Sequence, residues 1–442
     1  MTTTEANPTI NPVEAVRAFL EEQWDPDLTV AEWWQRLGLA GWSAPSLPTN
    51  AYGHGLSRSD ALAVARAIAD FGAVGGPSGL GLMLAAPTIA SHGTQEQIDT
   101  LVRDIVTGQR AWCQLFSEPG AGSDLAGLST RAVRDGDEWI VNGQKVWTSL
   151  GQSADMGMLI ARTNPEAPKH QGITWFAIDM HQKGVEIRPL YEMTGHAMFN
   201  EVFLTDAVVR DQDTIGGLNN GWAVANTTLM NERAGLSAGG GGGAVTATPG
   251  TVAGQLERRV GDLVQARAER RARSAATATE KKDDKPKDAL LVQFARSFGK
   301  LDDPTIRQDL MRLHTLNAVA GYNTQRVKAA RSKGQDIPGM ANIGKLQMSD
   351  VVRLSRDLGL RILGASGMLH AYTPEQKQAL DAATGNPFLA MVTHSALYAQ
   401  APPIYGGTDQ IQKNIIGERV LGLPKEPNDD KTKPFSELPK NA

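Results

Sequence analysis

Apolar residues recur at helical spacing through the first quarter of the chain, in short segments separated by turn residues. Pro12-Val13-Glu14 opens a segment that places Val16, Phe19 and Leu20 on one face. A second spans residues 31–37, and Gly38 is its expected C-terminal cap. Ser57-Arg58-Ser59-Asp60 supplies capping residues for an alanine-rich helix through Ile68 and Phe71. Thr94 and Gln97 have the spacing of a capping box. From about Gln114 the pattern alternates instead. Asp135-Gly136 and Asn142-Gly143 read as two successive hairpin turns of type I′, in which both central residues need positive φ. Residues 156–161, 173–179, 185–188 and 202–209 continue the strands.

Helical spacing returns at Gly221-Trp222. Asp303-Pro304 then starts a helix that lines up Ile306, Leu310, Leu313, Leu316, Val319 and Ala320. Residues 349–363, 387–398 and 408–421 predict three more helices, which together make a bundle. The expected fold class is therefore α+β and multidomain. Residues 1–113 form an N-terminal helical domain, 114–220 a middle antiparallel β-barrel-like domain and 221–424 a C-terminal helical bundle. Residues 425–442 are charged and Pro-rich, an extended arm or frayed end. Residues 239–288 interrupt the bundle as a low-complexity insertion: five glycines, then Arg258, Arg259, Arg267, Arg270, Arg271 and Arg273, then a charged run. A solvated helix with a mobile connector is the expected reading, and a partner- or anion-binding helix the alternative.

Composition narrows the function. The 442 residues suit three domains of ~150 residues each. Lys+Arg number 44 and Asp+Glu 48, a net charge of −4, which argues against a nucleic-acid or anionic-lipid partner. The single cysteine, Cys113, makes neither an internal disulfide nor a thiolate metal site, so no metal is expected and a reducing, cytoplasmic setting fits. Apolar runs are too short for a membrane span, and the first basic residue is Arg17, so no secretory or transit signal is expected.

Three stretches carry candidate chemistry. Phe116-Ser117-Glu118-Pro119-Gly120-Ala121-Gly122-Ser123-Asp124 is a turn that lets backbone approach a ligand, with a hydroxyl near each end. It lacks the lysine of a P-loop and the GxGxxG spacing of a dinucleotide fold. Trp147-Thr148-Ser149 puts an indole and two hydroxyls where a strand ends, either to flank a flat heterocycle or as a core indole. Tyr405-Gly406-Gly407-Thr408 runs into a helix start, where free N–H groups suit a phosphate, or simply an ordinary cap.

In this order, SEPGAGSD, NGQKVWTS and GGTxQIQ resemble the acyl-CoA dehydrogenase flavoproteins, and the wording of Phe199-Asn200-Glu201-Val202 and residues 418–424 is similar to their actinobacterial branch. The resemblance runs from about Leu37 to Pro424. It implies an FAD-dependent α,β-dehydrogenation of an acyl-CoA thioester in fatty acid or sterol side-chain catabolism. It implies FAD contacts from Leu115, Ser117, Gly122, Ser123, Trp147 and Ser149, and from Thr408 and Gln410 at the adenosine end. Arg296 and Phe298, in an Arg-x-Phe-Gly segment, and Arg361 and Gly364 stand where relatives reach a neighbouring subunit's FAD; Arg361 and Ala365 depart from the usual residues there.

Many relatives carry a catalytic glutamate where this chain has Gly406, and a minority place it on the first bundle helix, just before an arginine. Glu232 occupies that position and is the expected base, with Ser123, Arg233 and Gly406 on the substrate side. The room at Gly406 suggests a branched or bulky acyl chain. Expected partners are an electron-transferring flavoprotein and further copies of the chain, as a homodimer or homotetramer. A non-catalytic subunit of a hetero-oligomer and an acyl-CoA oxidase are the alternatives.

Overall fold

Thr29 and Thr94 each close a capping box, with Glu32 and Gln97 reaching back to the cap, and Asn11 and Ser57 cap two further helices. In the computed structural model, residues 11–236, 243–277, 290–427 and 430–439 are described. Helices Pro12–Gln23, Val30–Leu39 and Arg58–Phe71 bury Val16, Leu20, Trp33, Trp34, Leu37, Val64 and Ile68 in one core. The two indoles donate to the Val74 and Gly75 carbonyls, at 2.7 and 2.8 Å. Gly38 is not a cap: it lies inside the helix, buried against Val106, and the chain turns at Ala40-Gly41.

The same core corrects the reading of the insertion. Val245, Ala247, Val260 and Leu263 are buried with Trp33 and Trp34. The Val30 and Ala31 N–H groups donate to the carbonyls of Arg258 and Leu256 at 2.8 and 2.9 Å. Helix Val260–Thr277 is thus anchored at its start, while Arg270, Arg271 and Arg273 stay in solvent. Four of the five glycines, and the charged run at 280–288, lie outside the described residues.

The middle of the chain is an eight-stranded sheet: β1 Trp112–Leu115, β2 Arg131–Asp135, β3 Glu138–Ser149, β4 Met156–Arg162, β5 Ile173–Asp179, β6 Val185–Leu190, β7 Phe199–Arg210 and β8 Thr214–Ile215. Its order is β6-β7-β3-β2-β4-β5-β8, with β1 beside β4. Pairing is antiparallel except where β4 runs parallel to β1 and to β2. The first hairpin exists, but its turn is Gly136-Asp137, with positive φ at Gly136 alone. The second does not. Asn142-Gly143 lies inside one long strand, opposite a bulge in β7: between the pairs Val141–Ala207 and Gly143–Leu204, Thr205 and Asp206 face Asn142 alone. A Cβ on Gly143 would sit 2.3 Å from Thr130 Oγ1, so glycine serves close approach there rather than a turn.

Residues 430–439 are neither extended nor frayed. They dock on this domain, with the Phe435 and Ser436 N–H groups donating to the carbonyls of Ala167 and Pro165 at 3.0 and 2.9 Å. These described segments belong to a unit built from Met1–Leu190, Met198–Lys282 and Asn428–Ala442.

The second unit comprises Tyr191–Ala197 and Asp283–Pro427. Helices Leu290–Ser297, Pro304–Arg331, Met340–Leu363 and Leu389–Tyr398 bury Phe294, Ile306, Leu310, Leu313, Leu358, Ile362 and Val392. Asp303 caps the helix that begins at Pro304, as its sequence predicts. Helix Pro374–Thr384 had no sequence signal strong enough to predict it: none of its residues is buried, so its apolar pattern is thin. No helix among the described residues is long and apolar enough to cross a membrane.

Candidate active site

The SEPGAGSD loop leaves β1 and is held from beneath by a buried ion pair. Lys145, fully buried on β3, reaches the Glu118 carboxylate at 2.8 Å and the Phe116 carbonyl at 3.1 Å. Glu118 also accepts the N–H groups of Ser129 and Thr130, at 2.6 and 3.0 Å. Burial alone would raise its carboxyl; Lys145 and these donors overcome that and hold it below the usual carboxylate range. The loop's far end is tied as well, since the Lys169 ammonium meets both Asp124 oxygens at 3.1 and 3.0 Å. Neither Glu118 nor Asp124 therefore presents an uncompensated carboxylate; Pro119, Gly120, Gly122 and Ser123 are exposed on the loop, and Ser117 is half-buried.

Val146 N–H donates to the Ser117 carbonyl at 2.9 Å, which sets the Trp147 end of β3 beside the loop. Trp147 is no core residue. It is 56% exposed, its backbone is left-handed with φ 61°, and it meets the Phe199 ring edge-on at 5.8 Å. A bulky residue held in that conformation and left in solvent is a mark of a functional site. Ser149 is half-buried two residues on. Leu115 departs from expectation, because its side chain is fully buried in the β-domain core and only its main chain is left to offer. A cleft of about 370 Å³ behind the loop, lined by Glu118, Pro119, Gly120, Ser129, Thr130, Gly143 and Gln144, contains none of the expected cofactor residues.

Glu232 lies on helix Gly221–Leu236 in the same unit. Ala225 and Thr228 are fully buried and Leu229 packs on the same core, so Glu232, one turn later, continues the inward face. Burial raises its carboxyl above the ordinary range, against smaller opposing effects of Gln114 and Arg233. Gln114 Nε2, on β1, is 3.5 Å from Glu232 Oε2. Arg233 is exposed, with Nε donating to the Leu229 carbonyl at 3.1 Å.

In the second unit, Thr408 caps helix Asp409–Ile415 by accepting from Ile411 N–H at 3.2 Å, and Gln410 is exposed on its first turn. Asp409 is buried and fixes that helix start, accepting from Ser349 at 2.7 Å and Arg353 at 2.5 Å. Gly406 and Gly407 are both left-handed, and Gln412 donates to their carbonyls at 3.1 and 3.3 Å. Arg296 and Gly364 are exposed, and Phe298 is half-buried against Phe294, ring centroids 4.8 Å apart. Arg361 is engaged along the helix surface with Asp309 at 2.5 Å and Thr305 at 2.7 Å.

Sequence reasoning missed Glu118, Lys145, Gln114 and Lys169. Lys145 had a signal: it keeps the alternation of the buried Trp139 and Val141 along β3.

The residues fit a dinucleotide flavin in each unit separately. Hydroxyls on a glycine loop beside an exposed indole suit a flat ring bearing a pyrophosphate, and a capped helix start suits anionic or ribose oxygens. The N-terminal, middle and C-terminal domains of acyl-CoA dehydrogenases match residues 11–109, 113–207 and 291–421. The acyl-CoA dehydrogenase IpdE1 of Mycobacterium tuberculosis is 34% identical over 396 residues, 89% of this chain and 88% of that protein. The acyl-CoA dehydrogenase FadE34 of the same organism is 36% identical over 342 residues; the match takes in 77% of this chain but 39% of that longer protein. Among solved structures, the ChsE4-ChsE5 complex of Mycobacterium tuberculosis is similar at a TM-score of 0.59 and 26% identity, over 96% of this chain and 100% of that one. The Tcur3481-Tcur3483 steroid ACAD shares the fold at a TM-score of 0.62 and 23% identity, over 94% and 97% of the two chains. With all three domains matched in order along the chain, the protein belongs to the acyl-CoA dehydrogenase family, a family of oxidoreductases.

Proposed function

We propose that this chain is a catalytically competent, FAD-dependent acyl-CoA dehydrogenase whose base is Glu232. The observation that carries this reading is the placement of the Glu232 carboxyl on the inward face of its helix, raised by burial, in a chain that has glycine at 406. A carboxyl tuned upward matches the task of taking a weakly acidic α proton near neutral pH. Glu232 accepts that proton, the C–H bond breaking as the O–H bond forms. When bound, FAD supplies the acceptor for the hydride that leaves the β carbon. Ser117, Gly122, Ser123, Trp147 and Ser149 hold and orient the ring system, and Thr408 and Gln410 its adenosine end. Arg296, Phe298, Arg361 and Gly364 serve the FAD of a neighbouring copy, and Ser123 and Arg233 meet the thioester. Leu125, Leu128, Trp112 and Phe116 keep water from the loop's inner side.

The substrate is an acyl-CoA with a branched or bulky chain, because Gly406 leaves space that a glutamate would fill. Electrons pass to an electron-transferring flavoprotein; rapid reoxidation by oxygen would instead make the protein an oxidase. Glu232→Gln tests the reading. It keeps the yellow flavin and loses acyl-CoA-dependent bleaching by about 10²–10⁴-fold, the usual worth of a general base. Full bleaching in that variant sinks the assignment.

One observation favours a second reading. The similar solved structure with 26% identity is a complex of two named chains, ChsE4 and ChsE5, and the second reading pairs this chain with a different partner subunit in a mixed assembly. Expression of this chain by itself decides: a stoichiometrically flavinated homo-oligomer that turns over acyl-CoA excludes the need for a second kind of subunit.

A further inference from the structure

Strand β1 alternates cleanly. Cys113 and Leu115 point into the β-domain core, while Trp112 and Phe116 point into the core that the helices share with the sheet. Gln114 lies between those two aromatic residues on the same face, a carboxamide set in an apolar wall. Leaving a partly buried amide there without a partner is costly. Among the described residues its one side-chain partner is Glu232, at 3.5 Å.

Glu232 is in the complementary position. Helical phase carries it inward after Ala225, Thr228 and Leu229, and among the described residues no cation lies within 4.0 Å of its carboxylate in an ion pair. The charged and titratable groups around it are few. Arg233 shares its helix; His92, on a helix packed against it, bonds to Thr227 at 2.8 Å; His170 meets Trp222 edge-on at 4.8 Å; Asp179 is exposed at the end of β5. Gln114 is thus the neutral donor that reaches the carboxylate from the sheet side.

We infer that Gln114 is the positioning residue for Glu232: its carboxamide N–H holds Oε2 and leaves Oε1 to take the substrate's α proton. A donor to the ionised form favours that form, so Gln114 offsets part of the burial effect and keeps the base usable at neutral pH. The 3.5 Å separation is long for such a bond, as is common before substrate closes a site, and shortens when water is displaced. Asparagine would fall short of the carboxylate, and leucine would fill the wall but donate nothing.

The inference rests on Glu232 being the base, and the experiment separates the two. Wild type, Gln114→Leu and Gln114→Glu, each as full-length holoenzyme, are assayed for kcat/KM from pH 5 to 9. In parallel, the carboxylic acid C=O band of Glu232 is titrated by infrared difference spectroscopy against Glu232→Gln. Loss of the donor moves the acidic limb up by at least about half a unit in Q114L, a threefold loss of kcat/KM below the limb. The like charge in Q114E moves it further, while Q114L at high pH approaches the wild-type plateau. The infrared titration shifts in the same order without any turnover. A structural role alone lowers the plateau and leaves both the limb and the infrared titration in place, which overturns the inference. Turnover that survives in Glu232→Gln overturns instead the reading on which it rests.

Discussion

The Lys145 ammonium and the Glu118 carboxylate meet at 2.8 Å inside the β domain, the lysine fully buried and the glutamate nearly so. One residue stands in each of the motifs SEPGAGSD and NGQKVWTS, so the pair fastens the first loop to the strand that carries Trp147. Removing one partner leaves an uncompensated buried charge, at a cost of about 3–5 kcal/mol. Lys145→Met is expected to destabilise by that amount in urea unfolding. Glu118→Gln/Lys145→Met removes both charges but keeps an acceptor for the Ser129 and Thr130 N–H groups, and costs less than K145M alone. A double variant worse than the single one contradicts this account.

The same pair sets an acid limit. Glu118 is held below its ordinary value of 4.5, so its contribution is complete above that pH and is lost as the pH falls through the lower folded value. The melting temperature of the wild type should fall more steeply between pH 4.5 and 3 than that of E118Q/K145M, in scans at fixed ionic strength. Parallel curves argue against it.

Trp147 gives the fold little. Its ring is largely in solvent, and its left-handed backbone costs about 1–2 kcal/mol that glycine would not incur. Trp147→Gly should therefore leave the melting temperature of the apoprotein within a few degrees. Flavin affinity, measured by reconstitution with FAD, should drop by about three- to tenfold, the worth of one aromatic contact. An apoprotein that unfolds readily with unchanged FAD affinity would return Trp147 to a structural role.

The C-terminal strap closes over the loop's far end. Lys169 bridges Asp124 and Asp430, both at 3.0 Å, and the buried Arg162 guanidinium lies 3.8 Å from the centre of the Phe435 ring. Arg162 also donates to the Ala126 and Leu128 carbonyls, at 2.6 and 3.4 Å, just behind the loop. A desolvated cation over an aromatic ring is worth about 2 kcal/mol. Phe435→Ala should lose that stability and speed proteolytic trimming after residue 427, whereas Phe435→Tyr should do neither. Equal trimming rates for all three proteins would detach the strap from the loop.

Much of this was legible in the residues. Caps at Ser57, Thr94, Asp303 and Thr408 were readable because a short polar side chain before an apolar period has one local job. Asn142-Gly143 misled because a dipeptide reports that φ or space is unusual, not why. Here the cause is Thr130, brought close only by the sheet. The segment containing Val245 and Val260 hid for a related reason: its few apolar residues complete a core made by Trp33 and Trp34, more than two hundred positions earlier. Glu232 was singled out through its neighbour Arg233 in a family pattern and is the proposed base, while Gln114 was invisible, since nothing local to β1 says which core its inward side chain enters.

Gly406 bears on both the proposed substrate and the proposed base. Its φ is +62°, a region where a glutamate side chain is strained by about 1–3 kcal/mol, and the following Gly407 is also left-handed. Gln412 locks this turn through both carbonyls, so the backbone has little freedom to relax. Gly406→Glu should therefore lower the melting temperature and raise KM for bulky acyl-CoA thioesters more than for short straight chains. In the Glu232→Gln background it should not restore flavin bleaching, because a carboxylate on a locked left-handed turn is not presented as in a chain whose turn evolved to carry one. Bleaching restored to more than about a tenth of wild type, one 1.4 kcal/mol step in barrier, would show that the two base positions are interchangeable in this protein and that the geometry of the turn does not decide between them.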